Sequence, residues 1–373
     1  MIKLLIGGSP CTNWSIAKKE GRETKPEGVG WELFKNYLIA KEKFQPDFFL
    51  YENNKSAAQA IKDQIAVELG VGTDPKARFT YINSSLVSAQ NRQRFYVTNF
   101  GDIEQPEDRG ILLKDILEDS IVERDKVHCL KHQAGNARDY FKKHHTNVKF
   151  EPINTTINGK SKTIKAQYSK TGAVNICKFA YGATGVAEPV YDGYAIPVEF
   201  ADGVPIKAVS CADGKTYSVY EVKGGQITVN GVQYPIKLID GYYIIIRKLT
   251  VTECCRLQTL PDDYCKAVSA TQAYKGLGNG WTAEVIIHLL NHALKDVPRN
   301  EKLVVLSMYD GIGTGRYCLD KMGFTNIKYY AYEIDKYPMA VANDNYPDII
   351  QCGDAFAVRD DSWRLESEVT ENV

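Results

Sequence analysis

The first hundred residues alternate between short apolar runs and longer segments whose apolar side chains recur at helical spacing. That spacing predicts amphipathic helices over 31–44 and 56–69. Apolar runs of strand length, each bounded by glycine or polar residues, predict strands at 3–6, 47–51, 81–87 and 94–98. Strand–helix–strand alternation is typical of a parallel sheet with helices packed on it, so we expect one here.

The same alternation returns in the last third of the chain. A helix is expected to begin near Thr252, with Thr252 as a possible N-cap residue. A strong helical pattern covers 282–294, and the polar segment 295–301 links it to the next strand. Three further strands are predicted at 302–308, 327–332 and 349–352. A helix that ends at Met322 separates the first two, and a second helix separates the last two. The polar tail 362–373 is expected to fray.

The middle of the chain, 101–246, has a different character. Between Arg124 and Lys178 there are twelve lysines and arginines against three acids. From Phe179 to Ile246 the chain is rich in Tyr, Val, Ile and Gly, and Asn-Gly or Asp-Gly pairs separate the β-formers, a pattern that predicts hairpins. We therefore expect an α/β fold with an inserted, mostly β module whose leading half is basic.

Composition narrows the class of protein. The 373 residues are 44% hydrophobic and 25% charged, which suits one large or two moderate globular domains. Lys+Arg and Asp+Glu are both 46, so a generally basic surface is excluded while a local basic cleft is not. Nine cysteines without a Cys-x-x-Cys pair favour reduced thiols in a cytosol-like compartment. No apolar run has the length of a membrane span.

A candidate nucleophile follows the first predicted strand. Two glycines end that strand, Pro10 fixes the backbone, and Cys11 then lies where open α/β sheets place their sites. Glu52, Arg92 and Arg94 also lie at or just beyond predicted strand ends. A reactive thiolate needs positive surroundings, and an acid is needed if the attacked ring must be protonated. The structural alternatives are an inert cysteine, a helix-capping glutamate and a surface arginine pair.

A candidate cofactor turn follows the strand at 302–308. Tyr309 leads into the turn Asp310-Gly-Ile-Gly-Thr-Gly315, and Glu333 at the end of the next strand lies 22 residues after Gly311. A carboxylate at this distance can bind ribose hydroxyls. The phosphate-binding fingerprint is incomplete, which favours a cofactor without phosphates, such as S-adenosylmethionine. An ordinary tight turn is the alternative.

Histidines 128, 132, 144 and 145 lie in the basic stretch near Cys129. Their spacing matches no common zinc site, so a solvated surface that faces nucleic acid is the preferred interpretation and no metal site is expected.

Taken together, these motifs resemble the DNA (cytosine-5) methyltransferase family. Gly-Gly-Ser-Pro10-Cys11, Glu52-Asn53 and Gln90-Asn-Arg92-Gln-Arg94 are similar to its catalytic motifs. The segments 247–264 and 274–282 are similar to the motif after the recognition region and to the last motif, which returns to the cofactor pocket. Tyr309–Gly313, Glu333 and Gly353-Asp354 are similar to its S-adenosylmethionine motifs. The resemblance covers nearly everything outside 101–246.

The resemblance implies a Rossmann-like methyltransferase sheet and a role for each matching residue. Cys11 would attack C6 of a flipped cytosine, Glu52 would contact N3 and the amine, and Arg94, with Arg92 near it, would hold O2. Ser15 would touch a DNA phosphate, and Lys142 and Lys143 are expected to contact DNA as well. S-adenosylmethionine would be held by Pro10, Tyr309, Gly311, Ile312, Gly313, Glu333, Asp354, Asn279, Gly280 and Trp281.

The order of these motifs is reversed relative to most of the family, because the catalytic motifs come first. This order predicts a circular permutation with three parts: a catalytic half at 1–100, a target-recognition domain at 101–270 and a cofactor half at 271–373. Thr12 stands where the family has Gln, and Asn54 where it has Val.

Two other functions stay open on the sequence alone: a transfer-RNA cytosine-5 methyltransferase, and a catalytically idle DNA-binding homologue. The long region 101–246 favours DNA over transfer RNA, and the intact Cys11, Glu52 and Arg94 favour an active enzyme. The resemblance further implies double-stranded DNA as partner, no membrane association, a restriction endonuclease as a second partner, a monomer, and the cytoplasm of a prokaryotic or phage-infected cell. The recognised DNA sequence is not readable from this chain.

Overall fold

The computed structural model describes residues 1–15, 18, 20–118 and 249–365, and within 119–248 it describes only the strands given below. The principal strands are β1 Ile2–Gly7, β2 Phe48–Asn54, β3 Arg78–Asn83, β4 Gln93–Thr98, β5 Leu303–Met308, β6 Ile327–Tyr332 and β7 Ile350–Gly353. The helices are α1 Gly28–Phe44, α2 Gln59–Glu68, α3 Leu113–Ile116, α4 Val251–Leu257, α5 Ala270–Asn279, α6 Ala283–Leu294, α7 Thr314–Lys321 and α8 Lys336–Asn345. In the described part of the chain, short 3₁₀ helices cover Cys11–Asn13, Ser84–Leu86 and Ala355–Arg359.

The seven principal strands form one sheet in the order β7-β6-β5-β1-β2-β4-β3. Strands β7, β6, β5, β1 and β2 are parallel to one another, and β4 runs antiparallel to both β2 and β3. The first and last parts of the chain therefore interleave, since β1 lies directly beside β5. The predicted α/β sheet is confirmed.

Helices cover both faces of this sheet, because successive strand residues point to opposite sides. Leu4 and Ile6 of β1 pack in one core with the apolar side of α6, including Ile286. Leu5, between them, packs in the other core with residues of α1 such as Phe34. Strands buried on both faces read as continuous apolar runs, which is how β1 and β5 stand out in the sequence.

The sheet is not wholly parallel, and this corrects the sequence-based prediction. The predicted strand over 81–87 ends at Asn83, where the Asn83 side chain accepts a hydrogen bond from the Ser85 backbone N–H and a 3₁₀ turn begins. Only residues 84–92 connect β3 to β4. A parallel connection needs a crossover of a dozen or more residues, so this short link requires an antiparallel pair.

Most short strands in the middle of the chain pair antiparallel, two of them with their neighbours in sequence as the predicted hairpins require, and one pair, Gln90–Asn91 with Ser161–Lys162, is parallel. Gln226–Val229 pairs antiparallel with Val232–Pro235, on either side of the predicted Asn-Gly turn. Leu238–Ile239 pairs with Tyr242–Lys248, which also pairs with Gly185–Val190. The remaining short strands are Gln90–Asn91 with Ser161–Lys162, and Thr216–Glu221 with Lys207–Ser210 and Tyr194–Ala195. Most of the basic stretch, including Lys142, Lys143 and the four histidines, lies outside the described residues.

Two predicted boundaries shift in the later part of the chain. Thr250, not Thr252, caps α4, because its hydroxyl accepts from the Glu253 backbone N–H at 3.1 Å while the Glu253 carboxylate accepts from the Thr250 backbone N–H. The segment 362–365 was expected to fray, yet Trp363 and Leu365 are buried in the core beside α1. Residues 366–373 lie outside the described part. None of the described helices combines the length and hydrophobicity needed to cross a membrane.

Candidate active site

The sheet topology gathers the predicted site residues along one edge. Strands β1, β2, β5, β6 and β7 run the same way, so their carboxyl ends share this edge. Strand β4 runs the opposite way, and its start places Arg94 opposite Asn54 at the end of β2. The residues that follow or end these strands and meet at this edge include Cys11, Glu52, Arg94, Tyr309, Gly311, Glu333 and Asp354. Open α/β sheets bind their ligands at this edge.

The loop after β1 presents the Cys11 thiol. Cys11 begins a 3₁₀ turn with Pro10 as its N-cap residue, and its side chain is half-exposed and free. Asn53 holds this loop from β2, because its amide donates to the Ser9 carbonyl at 2.9 Å and to the Tyr51 hydroxyl at 3.1 Å. The Ser9 hydroxyl lies 2.7 Å from that of Tyr51. The Asn53 predicted from the motif therefore links the thiol loop to the strand that carries Glu52.

The Glu52 carboxylate is nearly buried and bound on both oxygens. Arg94 Nε lies 2.9 Å from Oε1, and the Trp281 indole N–H donates to Oε2 at 3.0 Å. Gly8 makes room for this residue, since a Cβ at Gly8 would lie 2.4 Å from the Glu52 carbonyl oxygen. A carboxylate, a guanidinium and an indole thus come together beside the thiol loop.

Arg92 makes its principal contacts elsewhere. Its guanidinium donates to the Gly280 carbonyl at 2.7 Å and to the Gly278 carbonyl at 3.3 Å. Arg92 lies directly before Gln93, the first residue of β4, and Arg94 lies within that strand. Its hydrogen bonds therefore connect the segment before β4 to the end of α5.

Gln258 is a second brace that the sequence analysis did not single out as a site residue. Its side-chain amide donates to the Leu277 carbonyl, and its Oε1 accepts from the Thr282 hydroxyl at 2.9 Å. Ser84 in turn donates to Thr282 at 2.9 Å. The signal that could have found Gln258 is a buried amide inside a motif segment, since such a side chain must satisfy several hydrogen bonds.

The loop that carries Cys11 is anchored further along by Trp14, which is fully buried. Its indole N–H donates to Glu23 Oε2 at 3.0 Å, and Glu23 also accepts from the Gly30 backbone N–H in the first turn of α1. Ser15 follows at once, and its backbone N–H donates to the Cys11 carbonyl at 2.9 Å. The buried indole therefore fixes the path of the loop that carries Cys11.

The turn between β5 and α7 leaves open space beside its backbone at Gly311. Gly311 and Gly313 have φ of 66° and 77°, a region that favours glycine. A Cβ on Gly311 would meet open space, whereas one on Gly313 would lie 3.1 Å from Ala342. Tyr309 also has a positive φ of 61°, and its hydroxyl is held by the Leu33 carbonyl at 2.7 Å and by Asn36.

Two carboxylates and the end of α5 border this turn. Glu333 Oε2 accepts from the Gly311 N–H at 3.1 Å, and Asp354 caps a 3₁₀ turn through the Phe356 N–H. Exposed Asn279 ends α5, Gly280 and Trp281 come directly after it, and Gly280 packs against Ile312. Glu333 and Gly280, two of the residues expected to hold the cofactor, therefore lie against this turn.

Asp310, which the sequence analysis did not name as a site residue, is a half-buried acid in this turn whose carboxylate oxygen Oδ2 is enclosed. Its Oδ1 accepts from Tyr329 at 2.6 Å and from Ser307 at 2.7 Å, while Oδ2 is buried without a partner among the described residues. Burial raises the pKa of Asp310 to about 6, the two hydrogen bonds oppose this, and nearby Glu333 adds to it. A ligand with a positive charge would satisfy the bare oxygen.

The doubly wound sheet, its reversed strand β4 and the glycine turn at the strand edge define the fold of an S-adenosylmethionine-dependent methyltransferase. A family model described as C-5 cytosine-specific DNA methylase matches residues 1–295, and the chain belongs to that family. It is accordingly a methyltransferase that acts on C5 of cytosine, and family and fold imply S-adenosylmethionine as the methyl donor.

Individual relatives are distant. The chain is 23% identical over 359 residues to the orphan methyltransferase M.SPRI of Bacillus phage SPR, covering 76% of this chain and 80% of that protein. Similar solved structures include Entamoeba histolytica methyltransferase EhMeth, at 13% identity and a TM-score of 0.42, with 79% of this chain and 78% of that one covered. Another is the S. pombe Dnmt2 methyltransferase, at 13% identity and a TM-score of 0.38, with 78% and 77% covered.

Proposed function

We propose that this enzyme methylates cytosine C5 in duplex DNA through a covalent bond between Cys11 and C6 of the base. The observation that carries the proposal is the half-exposed Cys11 thiol, on a loop held by Asn53 beside the Glu52–Arg94 ion pair. A thiolate supplies the nucleophile, and a carboxyl group and a guanidinium supply what an electron-poor ring needs during attack.

Each of these residues has its own role in the reaction. The Cys11 sulfur forms a bond to C6, while Glu52 stabilises the added proton at N3 and Arg94 binds the O2 oxygen. The electron pair gained at C5 would then take the methyl group that bound S-adenosylmethionine supplies, leaving S-adenosylhomocysteine. Loss of the C5 proton re-forms the ring double bond, and the C6–sulfur bond breaks to release Cys11. Attack occurs on the ring face, which is covered in a stacked duplex, so the base must be flipped out.

The turn after β5 fits S-adenosylmethionine. The open space at Gly311, the bare Asp310 oxygen and the two strand-end carboxylates match a cofactor with cationic groups and ribose hydroxyls. When bound, this cofactor supplies an activated methyl group. The residues that would hold it are Pro10, Tyr309, Gly311, Ile312, Gly313, Glu333, Asp354, Asn279, Gly280 and Trp281.

DNA is the proposed substrate in preference to transfer RNA. The support is the length of the region between the catalytic and later motifs, its basic excess at 124–178 and its hairpin strands. We assign target recognition to residues 101–270, catalysis to 1–100 and cofactor binding to 271–373. In this arrangement Ser15 contacts a DNA phosphate, and Lys142 and Lys143 do the same.

A circularly permuted arrangement is also proposed. If β5 is counted first, then β6 and β7 are second and third, and β1 and β2 are fourth and fifth. The sheet order then becomes 3-2-1-4-5, the usual order of a doubly wound fold. Along this chain, the fourth and fifth strands of that order precede the first three. This supports a permutation with new ends before β1.

A restriction endonuclease partner, a monomeric state and residence in the cytoplasm of a prokaryotic or phage-infected cell remain predictions. Gel filtration tests the oligomeric state. Cleavage of host DNA before and after expression of this chain tests whether a recognised site becomes protected.

The function is tested first by bisulfite sequencing of DNA from cells that express this chain, which should show methylated cytosine in one recurring sequence. Purified enzyme should transfer labelled methyl groups to that DNA and not to transfer RNA. Cys11→Ser should abolish turnover, and a duplex with 5-fluorocytosine at the site should trap the wild type covalently.

Cys352→Ser is the matched control, because Cys352 is also half-exposed and outside any disulfide but lies in β7. It should keep turnover and trapping. Label on adenine, or full turnover by the Cys11→Ser variant, would contradict the proposal.

A further inference from the structure

Trp281 belongs to the segment expected to line the cofactor pocket, yet its indole nitrogen points elsewhere. The N–H donates to Glu52 Oε2 at 3.0 Å, across 229 residues of sequence. Arg94 occupies the other oxygen, Oε1, at 2.9 Å. The two oxygens of the carboxylate are therefore held by donors from opposite parts of the chain.

The backbone on either side of Trp281 is firmly fixed. Arg92 binds the Gly280 carbonyl at 2.7 Å, and the Thr282 hydroxyl, which is buried, donates to Gln258 at 2.9 Å. Because both neighbours are tied to other elements, the backbone that carries the indole is held in place. Trp281 can therefore act as a fixed donor.

A carboxylate needs such a second donor to keep its orientation. The terminal torsion of a glutamate is broad, so an ion pair with Arg94 alone leaves the carboxylate plane free to turn. A donor on each oxygen fixes that plane. Each carboxylate oxygen accepts two hydrogen bonds, so Oε1 and Oε2 each keep a position for a ligand.

We propose that Trp281 is a positioning residue for Glu52, holding the carboxylate plane in the orientation that contacts the cytosine ring. This inference rests on the proposed function of Glu52 and goes beyond it by giving Trp281 a role in the catalytic step as well as in the cofactor pocket. The contact with Glu52 joins two protein side chains, so its loss can be measured separately from cofactor affinity.

The test compares Trp281→Phe with the wild type on the DNA sequence located by bisulfite sequencing. Phenylalanine keeps an aromatic ring and removes the N–H. A hydrogen bond to a charged group is lost, so kcat should fall about 10- to 100-fold. The dissociation constant of S-adenosylmethionine, measured directly by calorimetry, and KM for DNA should change less than about threefold.

Trp363→Phe is the matched control. It makes the same substitution and removes a comparable indole bond, the one that Trp363 donates to the Tyr332 hydroxyl at 2.6 Å, while leaving the contacts of Glu52 intact. Its kcat should stay within about twofold of the wild type. A large loss in this variant as well would assign the effect to general packing and overturn the inference.

A double-mutant cycle separates positioning from packing. If Trp281 acts through Glu52, then Trp281→Phe should cost little further single-turnover rate in a Glu52→Ala background, where the acceptor of the indole N–H is gone. Additive losses, or a loss confined to cofactor affinity, would overturn the positioning role. If Trp281→Phe does not fold, Trp281→Leu enters the same cycle. Absence of any loss in Glu52→Ala alone would instead refute the proposed function, so the two failures are distinguishable.

Discussion

Asp310 shows how one residue can link stability to ligand binding. Its carboxyl group is buried, which raises its pKa to about 6 from an ordinary value of 3.8, and one oxygen has no partner among the described residues. The folded chain therefore binds this proton more tightly than the unfolded chain. The contribution of Asp310 to the free energy of unfolding should fall as the pH rises from about 4 to about 6, and stay low above that.

Asp310→Asn should remove the fall in the free energy of unfolding that Asp310 causes as the pH rises. At pH 7 the variant without ligand should be more stable, by up to about 3 kcal/mol for a shift of this size, and should bind S-adenosylmethionine more weakly because a negative charge is gone. Thermal unfolding from pH 4 to pH 7 and calorimetry with the cofactor measure the two effects. Exposed Asp263→Asn is the control. Parallel pH profiles for wild type and Asp310→Asn would contradict this account.

At the scale of elements, α5 depends on a glycine where it meets the cofactor turn. A Cβ on Gly276 would lie 2.7 Å from Ile312 Cγ2, so helix and turn are in close contact. Replacing a helical glycine by alanine usually stabilises a protein by up to about 1 kcal/mol. Here we expect alanine at position 276 to destabilise the protein, because Ile312 must move to make room for the added Cβ.

Gly276→Ala should lower the melting temperature and weaken S-adenosylmethionine binding severalfold, as measured by calorimetry. Thr271→Ala, at an exposed position of the same helix, should be neutral or slightly stabilising. If Gly276→Ala stabilises the chain and keeps its cofactor affinity, the contact between α5 and the turn does not constrain the site.

The basic stretch at 124–178 leads to a prediction about DNA binding at the same scale. Replacing Lys142 and Lys143 by glutamine should weaken binding to every DNA sequence and flatten the dependence of the binding constant on salt, because fewer counterions are released. Binding measured from about 50 to about 200 mM salt tests this. A change in the methylated sequence with an unchanged salt slope would place these lysines among the base-reading residues.

At the scale of the whole molecule, the interleaved sheet makes the permutation testable. The link from α6 to β5 is short, and the ammonium group of Met1 contacts Glu301 within it. A chain that joins Val373 to Met1 through a flexible linker and opens between Val297 and Glu301 should fold, bind S-adenosylmethionine and methylate the same sequence. Insoluble products at several linker lengths would count against this topology.

The sequence by itself determined the type and approximate position of most principal elements. Strands β1 and β5 are continuous apolar runs because both their faces are buried, and the turn at Gly311 and Gly313 needs residues that tolerate a positive φ. The motif residues Cys11 and Glu52 were recognisable for a related reason, since their chemistry requires particular side chains at strand ends.

Only the tertiary structure decided which residues from distant parts of the chain contact one another. In the folded chain β4 runs antiparallel to its neighbours, and Arg92 binds the end of α5. An oxygen of Asp310 has no partner among the described residues, and the Trp281 indole contacts Glu52. Periodicity tells which face of an element is apolar, but not which distant element covers it. A contact between residues 229 positions apart depends on the packing of the whole sheet, and so it can be found only there.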